Sequence, residues 1–325
     1  MIRWLSTLIV VGSWLLAGSA IAKDTGQIFV SAEKSNAIAV LDPKTFAVVE
    51  QIKTGKRPRD MHLNADRTRL YVVCGDDDAI EVIDLASRKV LRRIATGRSP
   101  EMFAIDEPRG RIYVTIEDES VLAVIDLATG KRTAAVKTGG EPEGVLLADR
   151  GRTIYVASEV GNLVHVIDAD TLAIRADIVV GTRPRRFAIT PDGNLLLVSN
   201  ELAGEVTVID TAKAAVAGKI EFLPPGMRRS DVTPVGLTIS PDGKTAYVAL
   251  GHAAHVAEVD LASRKVSRYM LVGKRAWGVT LSRDGRRLFV ANGLGDDVTV
   301  IDTAARKALV STPAGRVPWG IVIDD

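Results

Sequence analysis

The chain has 325 residues, 46% of them hydrophobic and 25% charged, a composition that supports a folded core and excludes a disordered chain. Its 42 lysines and arginines nearly cancel its 40 aspartates and glutamates, so no basic excess argues for nucleic acid as a partner. One large domain or two ordinary ones would fit this length.

Residues 1–22 read as a secretory signal peptide. Met1-Ile2-Arg3 is a short basic start, and Trp4 to Gly18 is an apolar run, short for a bilayer span of about 20 residues. Ala20-Ile21-Ala22 supplies the small-x-small cleavage pattern. The expected organisation is a removed leader, 1–22, and a single domain over 23–325, exported to the periplasm with no membrane span in the mature chain. The one cysteine, Cys74, ends the apolar run Leu70-Tyr71-Val72-Val73-Cys74, which favours an inert buried thiol over a reactive one.

Beyond the leader the chain repeats itself. Aspartates that end β-branched runs recur at Asp42, Asp84, Asp126, Asp168, Asp210, Asp260 and Asp302, at intervals of 42, 42, 42, 42, 50 and 42 residues. The pairs Phe29-Val30, Tyr71-Val72, Tyr113-Val114, Tyr155-Val156, Leu197-Val198, Tyr247-Val248 and Phe289-Val290 keep the same step. So do glycines 55, 97, 139, 181, 273 and 315, usually with proline three residues later. Within the unit from Pro184 to Gly226, four short apolar or alternating runs are separated by turns such as Pro191-Asp192-Gly193 and Asp210-Thr211-Ala212-Lys213. That is the chemistry of consecutive hairpins.

A four-stranded meander cannot bury both of its faces alone, and radial stacking of such units does so while shielding their edges. The predicted fold is therefore all-β, a seven-bladed β-propeller of four-stranded antiparallel blades. Its first unit begins at a second-strand motif, Gln27-Ile28-Phe29-Val30, and its last run, Pro318-Trp319-Gly320-Ile321-Val322-Ile323, is an unused first strand. One composite blade should join this C-terminal strand to three N-terminal strands and close the ring.

The Tyr-Val markers followed by small or polar residues, as in Tyr155-Val156-Ala157-Ser158, together with the Val-Ile-Asp turns and Gly-x-x-Pro joints, resemble the YVTN-family β-propeller repeat. Seven such units behind a signal peptide look most like the propellers associated with pyrroloquinoline-quinone (PQQ)-dependent alcohol catabolism. That resemblance implies a setting beside quinoprotein dehydrogenases and transporter components, and it brings no catalytic residues with it. The chain departs from the pattern at Leu197, at Ala276, and in eight extra residues of the fifth unit.

Function in a repeat protein lies where equivalent positions stop being equivalent. Strand alternation places the Gly-x-x-Pro joint and the loop after the Tyr-Val strand on one face, and the Asp-Gly and Val-Ile-Asp turns on the other. After the joint the equivalent residues are Arg59, Glu101, Glu143, Arg185, Val235, Trp277 and Trp319. Three residues beyond the marker valine they are Glu33, Gly75, Glu117, Glu159, Glu201, Gly251 and Gly293. An acidic arc should thus face an aromatic one across the channel mouth, able to hold a metal, a cationic group or a planar quinone. The plainer reading pairs the glutamates with Arg59 and Arg185 and makes the tryptophans a plug. The extra segment, with Met227, Arg228 and Arg229, lies at a joint on this face and is a candidate cover or partner loop. His252 and His255, without a third ligand nearby, read as surface residues.

Three functions fit these residues. The leading one is a non-enzymatic periplasmic binding or scaffold protein, accessory to quinoprotein alcohol oxidation, with a quinoprotein dehydrogenase or transporter component as partner and PQQ or a divalent cation as the associated cofactor. The second is a metal-assisted, lactonase-like hydrolase built on the carboxylates. The third is a cell-envelope interaction module with no small-molecule site.

Overall fold

In the computed structural model, which describes residues 24–325, the chain forms seven four-stranded antiparallel sheets arranged as a propeller. The leader assigned to residues 1–22 lies outside the described residues. Blade 1 is composite: Pro318–Ile323 is its innermost strand, followed outward by Ile28–Ala32, Ala37–Leu41 and Val48–Lys53. Ile28 pairs with Ile323 and Val30 with Ile321, so the two ends of the chain meet in one sheet. Asp324 adds to the closure by accepting hydrogen bonds from the Thr25 backbone N–H at 3.0 Å and the Thr25 hydroxyl at 2.6 Å. Blades 2 to 7 start at the innermost strands Pro58–Leu63, Pro100–Asp106, Pro142–Ala148, Pro184–Ile189, Leu237–Ile239 and Ala276–Leu281.

The second and third strands of a blade read as almost unbroken apolar runs because both of their faces are covered. In blade 2, Tyr71 and Val73 pack with Phe103, Ile112 and Val114 of blade 3, while Leu70, Val72 and Cys74 pack with Phe29, Ile38 and Val40 of blade 1. Each marker aromatic therefore faces the next blade and its following valine the previous one. Seven such inter-blade clusters circle the axis, and an eighth, of Val235, Trp277, Trp319 and Met102, lies on the channel. Burying Cys74 in one of these clusters pushes its thiol well above the usual range, which makes it unreactive.

The two ends of the propeller are built differently. At one end the seven periodic aspartates fold the turn between third and outer strands: Asp42 accepts from the Lys44 and Thr45 backbone N–H, and Asp84, Asp126 and Asp260 accept likewise from Ser87, Thr129 and Ser263. At the other end the joints and the loops after the Tyr-Val strands are tied to one another. The N–H of Glu33, Gly75, Glu117, Glu159, Glu201 and Gly293 donates to the carbonyl of Val317, Arg57, Ser99, Glu141, Arg183 and Arg275 respectively. This places on one face the two sets of residues that the sequence pattern put there.

Blade 6 breaks the pattern. Its innermost strand is three residues long, and the eight extra residues lead into it. Phe222 and Val232 of this segment are buried and Met227 packs against them, in the interface where Leu197 stands for the marker tyrosine. The segment covers the blade 5–blade 6 interface and none of its residues lines the funnel, whereas the sequence suggested a cover over the mouth or a partner loop. Arg228 and Arg229 are exposed, and Arg229 pairs with Glu221 at 3.2 Å.

Candidate functional site

A funnel of about 280 Å³ opens where the joints converge. Its wall carries Glu33, Arg59, Glu101, Glu117, Glu143, Arg185, Glu201, Trp277 and Trp319 of the residues singled out from the sequence, and adds Arg57, Arg183 and Arg275. Glu159 is buried behind the wall in contact with Arg183 and Arg185. Around the ring from blade 1 to blade 7 the residues after the joint run Trp319, Arg59, Glu101, Glu143, Arg185, Val235, Trp277, so the acidic and aromatic arcs do face one another. An arginine separates them on one side, and Arg185 with Val235 on the other.

The carboxylates are engaged with arginine. Glu101 receives Arg57 at 2.7 Å and also Arg59, which reaches Glu33 at 3.2 Å. Arg185 lies 2.9 Å from Glu143 and contacts Glu159, and Arg183 stands 2.6 Å from Glu159 and 3.3 Å from Glu201. Glu117 accepts instead from the Ser99 hydroxyl at 3.1 Å. Among the described residues no group of three or more His, Cys, Asp or Glu is placed to hold a metal ion. Of the two readings of the acidic arc, the geometry matches the plainer one: Arg59 and Arg185 pair with the glutamates, and Arg57 and Arg183, one residue before the joint position, interleave with them as well.

Burial still governs their protonation. It pushes Glu101 up to about 7 against the pull of Arg59, with Glu143 adding to the rise. Burial and the neighbouring Glu143 push Glu159 up to about 9. For Glu143 burial also opposes ionisation, but Arg185 and the hydrogen bond with Glu159 outweigh it and hold the group below the usual range. Glu143 and Glu159 therefore titrate as a pair, with the charge favoured on Glu143.

The aromatic arc holds arginines of a different kind. The Arg186 guanidinium lies 3.9 Å from the ring centre of Trp319 and 5.9 Å from that of Trp277. Arg275 lies 4.4 Å from the Trp277 ring, and Arg185 lies 5.2 Å from it. Neither Arg186 nor Arg275 has a carboxylate partner within 4.0 Å among the described residues. Arg186 is 8% exposed and heads a lower channel of about 160 Å³ that it shares with Asp60 and Met102. Burial lowers its guanidinium to about 10, partly offset by Glu143. The indole faces expected to receive a ligand are thus occupied by guanidinium groups.

The sequence comparison overlooked Arg57, Arg183, Arg186 and Arg275, although the repeat marks all four. Arginine precedes the joint position in Gly55-Lys56-Arg57-Pro58, Gly181-Thr182-Arg183-Pro184 and Gly273-Lys274-Arg275-Ala276. In each the arginine adopts left-handed backbone, φ 57°, 60° and 56°, at a cost of about 1–2 kcal/mol for a side-chain-bearing residue. The positions equivalent to Arg186 are Asp60, Met102, Gly144, Gly236, Gly278 and Gly320. A Cβ on Gly236 or Gly278 would overlap the carbonyl oxygen of Trp277 or Trp319 in the next blade. Glycine there lets the innermost strands close around the axis, and the one arginine at that position lines the lower channel.

A Ser-His-Asp chain also occurs in blade 4. Ser158 Oγ is 2.9 Å from His165 Nε2, and His165 Nδ1 is 2.5 Å from Asp177. Ser158 is fully buried, and His165 Nε2 already accepts the Gly139 backbone N–H at 2.9 Å. The chain anchors a joint and presents no nucleophile to a substrate. His252 is exposed and His255 half-buried with Nδ1 on the Ala253 carbonyl at 2.6 Å, as expected for surface residues.

The YNCE-like beta-propeller family model matches residues 29–235 and 87–281, most of the chain. The chain belongs to that family. A search of the curated proteins finds no match. Among solved structures, the Kuenenia stuttgartiensis hydrazine synthase aligns over 90% of this chain and 99% of its own at 21% identity, with a TM-score of 0.78. A protein from Lactobacillus plantarum aligns over 92% and 99% at 18% identity, TM-score 0.80. A dihydro-heme d1 dehydrogenase aligns over 93% of this chain and 76% of its own at 15% identity, TM-score 0.71. At these identities the likeness is one of fold.

Proposed function

We propose that this YNCE-like propeller is a periplasmic binding protein that holds a small molecule in its funnel and performs no reaction on it. In that reading it serves PQQ-dependent alcohol oxidation, carrying PQQ or a related compound or docking on a quinoprotein dehydrogenase or transporter component. The observation that carries the binding function is the composition of the funnel, a cavity of about 280 Å³ built from the positions where the repeat diverges. That volume lies near the lower bound of about 300 Å³ for ligand pockets. Its ionic network fixes the wall, since a buried guanidinium–carboxylate lattice holds its side chains in one geometry. The metal-assisted hydrolase loses its support, because the carboxylates it would need as cation ligands are bound to arginine.

The setting comes from resemblance to the PQQ-associated propellers, and export comes from the leader pattern in residues 1–22. The test is the double replacement Trp277→Ala with Trp319→Ala. Titration with PQQ and pull-down of a quinoprotein dehydrogenase should both weaken at least tenfold if the funnel is the binding site. Unchanged binding of every ligand and partner would contradict it.

A further inference from the structure

The funnel and the floor beneath it contain more unused donors than acceptors. Six buried side-chain donor atoms have no hydrogen-bond partner in the protein: Arg185 Nε, Arg186 Nε and Nη2, Arg275 Nε, Trp277 Nε1 and Trp319 Nε1. Only two acceptors in the same region do, Glu143 Oε1 and Glu201 Oε2. Arg185 Nε and Glu201 Oε2 lie 3.6 Å apart and offset one another, which leaves five donors to one acceptor. Buried polar groups without partners are costly, and a buried guanidinium without a counterion more so. Such groups call for a partner, which an ordered water, an ion or a ligand can supply.

The surplus belongs to the aromatic arc. The carboxylate side of the ring is engaged by Arg57, Arg59, Arg183 and Arg185. Arg186 and Arg275 have indole faces against them instead of carboxylates. A guanidinium stacked on an indole keeps its edge N–H groups free for a planar oxyanion, and the indole adds its own N–H. A cation would be repelled by the guanidinium groups of this arc.

We propose that the funnel binds an organic carboxylate, whose oxygens are taken by the N–H groups of Arg186, Arg275, Trp277 and Trp319. This rests on the reading of the funnel as a ligand site and names the class of ligand. The tryptophans act as supports for the arginines and as edge donors, and a ligand need not stack on them. Arg186 sets the specificity: it places a positive charge on the lower channel that Trp319 shares with the funnel, at a position that is glycine in four of the seven blades.

Calorimetric titration of the whole protein with benzene-1,3,5-tricarboxylate, its neutral triamide, inorganic phosphate and calcium tests this. The tricarboxylate should bind, and Arg186→Met and Arg275→Gln should each weaken it at least tenfold, with the triamide and calcium inert. Arg186→Met should melt at the same temperature or higher, because it removes an unpaired buried charge. That combination separates a binding role from a structural one. Equal binding of the triamide, or tricarboxylate binding indifferent to both arginine variants, would overturn the carboxylate assignment and leave the funnel as a site. Phosphate binding in place of the tricarboxylate would overturn it too. If no ligand or partner binds in a manner sensitive to Trp277→Ala with Trp319→Ala, the binding reading itself fails.

Discussion

The two ends of this propeller have the same strands behind them and opposite sequence statistics. At the turn end an aspartate recurs in all seven blades and performs one task, accepting backbone N–H groups of the turn that follows it. At the funnel end the seven equivalent residues after the joint include two tryptophans, two arginines, two glutamates and a valine. Periodicity marks what every blade needs in order to fold, and loss of periodicity marks what the ring as a whole does. The ionic network makes the point physically: Arg59 joins blades 1 and 3 from blade 2, and Arg185 joins blades 4 and 5, contacts no single repeat could make.

The comparison is tested most severely through the elements both ends share. Removing residues 318–325 deletes the innermost strand of blade 1 and opens the ring. The truncated chain should lose its cooperative thermal transition, because the cluster joining blades 7 and 1 includes Ile321. A smaller but large effect is expected from Gly278→Val. Its side chain would overlap the Trp319 carbonyl, costing about 2–4 kcal/mol in denaturant unfolding.

Glu101 and Glu159 of the funnel differ in the sign of their shift from the turn aspartates. Glu101 is raised from 4.5 to about 7, so the folded state favours the neutral carboxyl. Its contribution to stability is complete below pH 4.5 and is lost as pH rises through 7, with Glu159 extending the loss toward 9. Melting temperature should therefore fall between pH 5 and 8 by more in the wild type than in Glu101→Gln, a window of about three units set by that shift. The turn aspartates act in the other direction. The hydrogen bond from the Ala305 backbone N–H holds Asp302 below 3.8, so its contribution is present above that value and lost on acidification through the lowered one. Asp302→Ala should give the smallest effect of the series, a slight fall in melting temperature at neutral pH that disappears in acid.

Most of the fold was legible in the sequence because each blade repeats the same burial problem. The Tyr-Val pairs, the Asp turns and the unmatched strands at the two ends led directly to seven blades and a composite closure. The candidate site was legible in position and in its Arg59 and Arg185 pairs, but not in its full set of arginines. Aligning the residue after each joint found Trp277, Trp319 and the glutamates, but the arginines at 57, 183 and 275 stand one residue before the joint position and Arg186 one residue deeper. Chain order cannot show that a side chain from blade 2 reaches carboxylates in blades 1 and 3, as Arg59 does. The extra segment was placed at the right joint, yet its burial of Phe222 and Val232 makes it part of an interface between blades.

The central claim is that the aromatic arc of the funnel binds an oxyanion through edge N–H groups. Nuclear magnetic resonance of the indole N–H signals of Trp277 and Trp319, assigned by single replacement with phenylalanine, tests it most directly. On titration with benzene-1,3,5-tricarboxylate both signals should move downfield and saturate together, as free indole N–H groups acquire a charged acceptor. Two signals that stay in place while the tricarboxylate binds elsewhere on the protein would contradict the account.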